Sequence, residues 1–262
     1  MKLKNKILTT LAACLFSYSV ANAQTSASSF NKGTFYYGLE YYHYHEILNG
    51  HDPFVTVKSN PWPTFVLGYS DFSNARTNSK NDIPLIYSLE GTYGKNKYTN
   101  WNHSIGYGAS SKDYTAQGEV SYVTPINVYA GVGYRYLHNK LNSSAAYTRI
   151  EEYFYLPLGY VYQLSDGSNF KFQYNYLIKG KNESDATEVG ADSNLYFKQN
   201  SGWGLDLSYV PVNGQWEFYT KYWEIKNSDI QKAYVHGVYY DSYVEPHNKT
   251  YEIGFKHTFW KI

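Results

Sequence analysis

From residue 33 to the end of the chain, apolar or aromatic residues alternate with polar or small ones. A period of two belongs to β-strands whose two faces meet different surroundings, and it leaves no stretch with the 3.6-residue period of an amphipathic helix. The clearest case is Phe170 to Lys179. Phe170, Phe172, Tyr174, Tyr176 and Ile178 share one face and Lys171, Gln173, Asn175 and Lys179 the other, with Leu177 the single exception. The same alternation marks Thr34 to Tyr44, Leu85 to Tyr93, Tyr114 to Tyr122, Val128 to Tyr136, Phe154 to Tyr162, Trp203 to Tyr209, Trp216 to Tyr222 and Tyr251 to Phe259. With a weaker strand at Thr64 to Tyr69 the count is about ten. Eight and twelve are the alternatives, twelve if the alternating segments Trp101 to Tyr107 and Tyr234 to Tyr240 also cross.

The connections obey a rule of their own. Thr124-Pro125, Ser165-Asp166-Gly167-Ser168 and Pro211-Val212-Asn213-Gly214 are short and built of turn formers. The others are long, roughly residues 46 to 62, 95 to 112, 138 to 146, 180 to 195 and 227 to 247. Long connections follow odd strands and short turns follow even ones, with residues 73 to 83 the one connection longer than the rule wants. An even number of strands, with long loops at one end and short turns at the other, is the pattern of a transmembrane β-barrel.

In this respect the chain, from its first strand to its last, resembles the small monomeric outer-membrane barrels of bacteria. Its closing segment Glu252-Ile253-Gly254-Phe255-Lys256-His257-Thr258-Phe259 is similar to the C-terminal signal by which such barrels are recognised for assembly, carried here by Gly254, Phe255 and Phe259. His257 stands at a position usually apolar, and Trp260-Lys261-Ile262 follow the final aromatic residue. The resemblance implies an all-β fold: a membrane-spanning antiparallel up-and-down β-barrel over residues 33–262, located in the bacterial outer membrane as a monomer. Outer-membrane lipid and lipopolysaccharide would surround it, and the barrel-assembly machinery would be its partner during insertion.

Composition fits two unlike faces. Only 17% of residues are charged while 19% are aromatic, 32 of them Tyr, against roughly 25% charged residues in soluble domains. A mean hydropathy of -0.54 excludes a bundle of apolar membrane helices. A belt facing lipid has no use for charge, and Tyr and Trp collect where headgroups begin. A secreted β-sandwich or lipocalin-like barrel is the competing fold, but its outer face would need more Lys and Glu than the polar face here supplies.

Residues 1–23 read as a secretory signal peptide, with a basic start at Lys2, Lys4 and Lys6, an apolar stretch from Ile7 to Val20, and the small residues Ala21-Asn22-Ala23 before the cleavage point. Leu11-Ala12-Ala13-Cys14 resembles a lipobox and makes Cys14 an alternative lipidation site, although the run continues apolar beyond it. Cleavage leaves residues 24–32 as a short N-terminal extension. It removes three of 23 basic residues and none of the 22 acidic ones, so the remainder carries two more acids than bases. Such near-neutrality gives no reason to expect nucleic acid as a partner. The lone Cys lies in the leader, so the remainder has no disulfide and no thiolate site.

The register sends Glu40, Glu90, Glu119, Glu151, Asp206, Glu217 and Glu252 to the inside, together with Arg135, Arg149, Lys171, Lys179, Lys221 and Lys256. Charges withdrawn from water are tolerable only as pairs, so seven acids against six bases predict an ion-pair network across the lumen. Tyr36, Tyr42, Tyr129, Tyr153, Tyr155 and Tyr219 would fill much of what remains, because ten strands leave a narrow interior. The expected function is a barrel with a largely plugged lumen and a structural or surface-interaction role, in which the long loops meet a host or surface ligand. A narrow porin-like channel is the alternative.

No catalytic residue and no cofactor are expected. Omptin-like proteases carry an Asp-x-His element and barrel lipid hydrolases a His-x-Ser element, and the chain contains neither; His103-Ser104 and His257-Thr258 lack the spacer. The grouping His43, His45, Glu46 and His51-Asp52 has the residue types of a metal site. Histidines at a membrane edge are more often polar caps, so no metal is expected there.

Overall fold

The computed structural model describes residues 33–71, 84–103, 107–143 and 147–261. The expected signal peptide, Cys14, the extension 24–32 and the connection 73–83 lie outside those residues.

Fourteen strands appear among the described residues: β1 Thr34–Leu48, β2 His51–Ser59, β3 Thr64–Asp71, β4 Leu85–Asn100, β5 Ser110–Val123, β6 Val128–Leu141, β7 Thr148–Gln163, β8 Asn169–Ser184, β9 Leu195–Lys198, β10 Gly202–Val210, β11 Trp216–Ile225, β12 Gln231–Val235, β13 Val238–Tyr243 and β14 His247–Lys261. β2 and β3 both pair with β1 and β4, so they are two halves of one wall strand. The break between them is Asn60-Pro61-Trp62-Pro63, where two prolines cannot donate to the ladder. β9 and β10 likewise share β8 as neighbour. The wall is therefore ten antiparallel strands, and β14 pairs with β1 from Ile47↔His247 down to Thr34↔Lys261 to close it.

The expected count of ten is met and the short turns fall where expected. Asp166 shows how such a turn is held: it accepts from the Ser168 amide (2.9 Å) and hydroxyl (2.7 Å). Those two donors hold its carboxyl below the usual range. The long connections are another matter. Residues 46 to 62 are no loop, because β1 runs to Leu48, turns at Asn49-Gly50 with positive φ at both positions, and returns as β2. Much of 95 to 112, 138 to 146 and 180 to 195 is strand as well, so the wall rises past the length a membrane requires. β12 and β13 form a separate hairpin above the wall, which removes twelve as the strand count.

The two faces separate cleanly. Leu39, Leu67, Leu89, Val132, Leu158 and Ile253 point outward in mid-wall. Tyr41, Tyr93, Tyr114 and Tyr251 flank them toward the long-loop end, and Tyr122, Tyr162, Phe170 and Trp216 toward the short-turn end. An apolar band this continuous is unstable in water and matches a bilayer core with its aromatic girdles. Phe255 and Phe259 of the expected assembly signal lie on this outer face, while Gly254 faces the lumen under the Tyr219 hydroxyl. His257 sits between the rings of Tyr37 (5.5 Å) and Trp216 (4.5 Å), which lets an imidazole occupy an apolar position.

Inside, glycines face aromatic rings directly across the ladder. Tyr36 pairs with Gly68, Tyr129 with Gly159, Tyr155 with Gly133, Tyr153 with Gly180, Trp223 with Gly204 and Tyr219 with Gly254. In each case the missing Cβ is what lets the ring lie back against the wall: a Cβ on Gly159 would be 2.1 Å from Tyr129 Cζ. Gly159→Val is expected to cost about 1–3 kcal/mol. Gly91→Ala, whose nearest neighbour is 3.7 Å away, should stay within about 0.5 kcal/mol of the parent. Guanidinium unfolding in detergent micelles, followed by the heat-shifted gel mobility of the folded barrel, measures both.

Candidate functional site

The inward parity of β1, β4, β6, β11 and β14 brings six charged side chains to one level of the lumen. Glu90 accepts from Lys221, from Lys256 (2.6 Å) and from the Tyr36 hydroxyl (2.9 Å). Lys221 also lies 3.7 Å from Glu252, and Glu252 accepts from Arg135 at 2.5 Å. Arg135 and Glu252 stand on opposite walls, five strands apart around the ring, so this pair crosses the full bore. Glu40 completes the level and accepts from the Tyr219 hydroxyl at 2.7 Å. Aromatic faces shield the cations: Lys256 lies 4.4 Å from the Tyr219 ring and Arg135 5.2 Å from that of Trp223. Three acids meet three bases, and all six side chains are buried.

Toward β5, β7, β8 and β10 the contacts are hydrogen bonds more than ion pairs. Glu119 accepts from Tyr155 (2.7 Å) and Gln173 (2.8 Å), and Asp206 accepts from Asn175 (3.1 Å). Lys171 lies over the Tyr129 ring at 5.7 Å. Glu217, half-buried, shares with Lys171 and Lys256 the lining of a cavity of about 160 Å³ that opens at the short-turn end. The cavity ends against Glu90, Tyr219 and Lys221.

A second charged level lies near the long-loop end. Arg149 donates to Glu46 and to Glu245 (3.0 Å), its Nε is 3.6 Å from Glu151, and its guanidinium lies 5.1 Å from the Tyr44 ring. Tyr153 donates to Glu151 at 2.7 Å. One guanidinium thus serves three buried carboxylates. Burial raises the affinity of Glu245 for a proton, Arg149 opposes this, and Glu46 and Glu151 add to it.

Of the thirteen charged residues assigned to the lumen from sequence, twelve face inward. Lys179 does not. A bulge at Phe154/Tyr155 pairs Tyr155 with Leu177 and Phe154 with Lys179, so Ile178 is the extra residue and the alternation reverses beyond it. Leu177 is 2% exposed inside, and Lys179 points out. Residues that sequence reasoning missed include Glu46, which shares the parity of Glu40, and Asp113, which shares that of Glu119; both lie one or two positions past where those strands seemed to end. Asp113 takes hydrogen bonds from Ser111 (2.5 Å), Asn96 (2.6 Å) and Asn139. Glu245 lies in a loop, where no alternation marks it.

The histidine grouping at the rim is divided by the same parity. His43 and His45 are on the outer face with ring centroids 5.5 Å apart, and His45 lies 3.5 Å from Asp52. Glu46 turns inward to Arg149, and His51 stacks on Trp101 at 3.8 Å.

The chain forms a closed ten-stranded antiparallel β-barrel with an apolar outer band flanked by aromatic girdles. Among solved structures it is similar to the β domain of the Bordetella autotransporter BrkA (10% identity, TM-score 0.47, covering 87% of this chain and 100% of that one). It is similar also to the outer-membrane protease OmpT from Escherichia coli (11%, 0.47, 91% and 100%). A third is an outer-membrane channel from Pseudomonas putida F1 (11%, 0.44, 90% and 100%). Identities and scores this low leave function to the residues of this chain. No protein-family model matches it, and neither does any curated protein sequence.

Two outcomes follow from the two charged levels. Arg135→Met, which leaves Glu252 in the bore with only its longer contact to Lys221, is expected to cost about 3–5 kcal/mol. The double variant Arg135→Met with Glu252→Gln should recover most of it, in the same unfolding assay. For Glu245 the sign is that of a carboxylate raised by folding: the native state binds the proton more tightly, so closure of the 226–246 loop over Arg149 strengthens as pH falls from neutral toward the ordinary carboxylate range. Hydrogen exchange in that loop should be slower at about pH 5 than at about pH 8 after correction for intrinsic rates, and Glu245→Gln should remove the difference.

Proposed function

We propose that this chain is an outer-membrane barrel with a closed lumen, which serves as a structural platform for surface contacts at its long-loop end. The observation that carries this reading is the Arg135–Glu252 pair across the bore, backed by Tyr155, Trp223, Gln173 and Asn175, each at most 2% exposed. A solute path would have to break buried ion pairs, which costs several kcal/mol per uncompensated charge. The cavity at the short-turn end is a vestibule in this reading, because it stops at the charged level.

The long-loop end, by contrast, presents apolar surface without cover. In the β12–β13 hairpin, Tyr234, Val238, Tyr239 and Tyr240 are exposed, and Ile230 beside it is 66% exposed. The hairpin is tied down at one edge, where the Asp192 amide donates to the Tyr234 carbonyl (3.0 Å) and Tyr243 packs against Ala186, Leu195 and Phe197, and its remaining aromatic side chains stay exposed. Exposed aromatic side chains of this kind supply anchors for a protein or glycan surface.

Two measurements test the proposal. In a planar bilayer the wild-type barrel should show no steady conductance, and sustained stepwise openings would refute the closed lumen. Replacement of residues 231–243 by a short Gly-Ser turn should leave the heat-shifted mobility of the barrel unchanged and abolish binding of whole cells to a surface the parent binds.

A further inference from the structure

The outer face beyond the aromatic belt carries a continuous row of like charge. Lys58 on β2 stands directly opposite Lys97 on β4, Lys95 on β4 opposite Lys112 on β5, and Lys112 opposite Lys140 on β6. Lys95 and Lys97 are two residues apart and so share a face. Five ammonium groups thus lie side by side over four adjacent wall strands. Like charges directly opposite destabilise a sheet. Only Lys140 has a carboxylate within ion-pair distance among the described residues, Glu188 at 3.2 Å. Asp113, the nearest acid on β5, points into the lumen and is held there by Ser111, Asn96 and Asn139. At this level of these four strands the acid Asp113 turns inward and the five lysines outward, and among the described residues Lys58, Lys95, Lys97 and Lys112 have no carboxylate within ion-pair distance.

The position of the row says which anion fits. Lys95 follows Tyr93 by two residues and Lys112 precedes Tyr114 by two, and those two rings touch at 5.1 Å in the outward girdle. At about 3.4 Å per residue Lys95 and Lys112 stand roughly 7 Å along the strand beyond the girdle, at the depth where lipid headgroups carry their phosphates, and Lys97 with its partner Lys58 roughly 14 Å beyond it, on the headgroup side. Beside Lys58 and Lys97, the residues Phe54, Thr56, Thr99 and Trp101 line a recess of about 370 Å³, which adds hydroxyl donors and an apolar wall to the two ammonium groups.

We propose that this face binds the phosphates of a lipid in the leaflet on the long-loop side, which in an outer membrane is the phosphorylated lipid A portion of lipopolysaccharide. The inference rests on the outer-membrane placement proposed above. Lys58, Lys95, Lys97 and Lys112 supply the point charges, Thr56 and Thr99 the hydroxyl donors, and the adjacent girdle seats the acyl chains.

The test uses the full barrel in zwitterionic micelles with purified lipid A, either bisphosphorylated or enzymatically dephosphorylated, and reads bound lipid by native mass spectrometry and by thermal melting. Bisphosphorylated lipid A should bind more tightly than the dephosphorylated form by roughly tenfold or more. Combined Lys58→Gln, Lys95→Gln, Lys97→Gln and Lys112→Gln should erase that preference while the heat-shifted mobility stays. Equal retention of the two lipids by the parent, or an undiminished preference in the variant, overturns the proposal. Should the variant fail to fold, the parent alone decides: loss of the preference in high salt supports it, and a preference unmoved by salt refutes it. Failure of the parent to insert into phospholipid vesicles at all would instead defeat the membrane placement, and the lipid site with it.

Discussion

Hydrocarbon offers no partner to a backbone amide or carbonyl, and each group left unpaired there costs several kcal/mol. Every major feature of this chain answers that constraint. A sheet that crosses lipid must have no edge, so β1 and β14 pair along their length. Once the sheet closes, each strand has one side toward lipid and one toward the bore, and the period-two alternation follows. Closure also explains why a protein with a mean hydropathy of -0.54 can present an apolar band, since the polar half of every strand is hidden.

Ten strands then set the scale of the interior. The bore is too narrow for rings to stand upright from facing walls, and six of the inward aromatic residues lie across a glycine in the paired strand. Those pairs join the abundant Tyr of the composition to glycines placed directly across the ladder. They leave a central space just wide enough for Lys and Arg to meet Glu from the opposite wall. The charged levels therefore depend on the wall twice: closure brings Arg135 to Glu252, and the glycines clear the room between them.

Much of this was legible from residue order. The alternation marked nine of the ten wall strands well and the tenth, interrupted at Pro61 and Pro63, weakly. Twelve of the charged residues assigned to the bore face it. The failures have local causes. Lys179 departs from the alternation because a bulge inserts one residue at Ile178, and a single insertion exchanges the two faces for the rest of that strand. Glu46 and Asp113 lie outside the alternating spans legible in sequence because β1 and β5 run on above the length that lipid requires. Residues 46 to 62 have the look of a loop in sequence because Gly50, Asp52, Pro53, Pro61 and Pro63 interrupt the alternation on both sides of the hairpin turn Asn49-Gly50.

The periodicity, the turn chemistry and the scarcity of charge suffice to specify an all-β wall, its approximate strand number and which side chains are inward, because each of these depends on neighbours within a few positions along the chain. The identity of partners across the bore has a different origin. Arg149 meets Glu46, Glu151 and Glu245 across 103, two and 96 positions, and Lys58, Lys95, Lys97, Lys112 and Lys140 become one row through the registers of three separate strand pairs. Register is set by how bulges, turns and packing act together around the closed ring. A shift of one residue in any pair would send these charges elsewhere, so their meeting is a property of the assembled barrel.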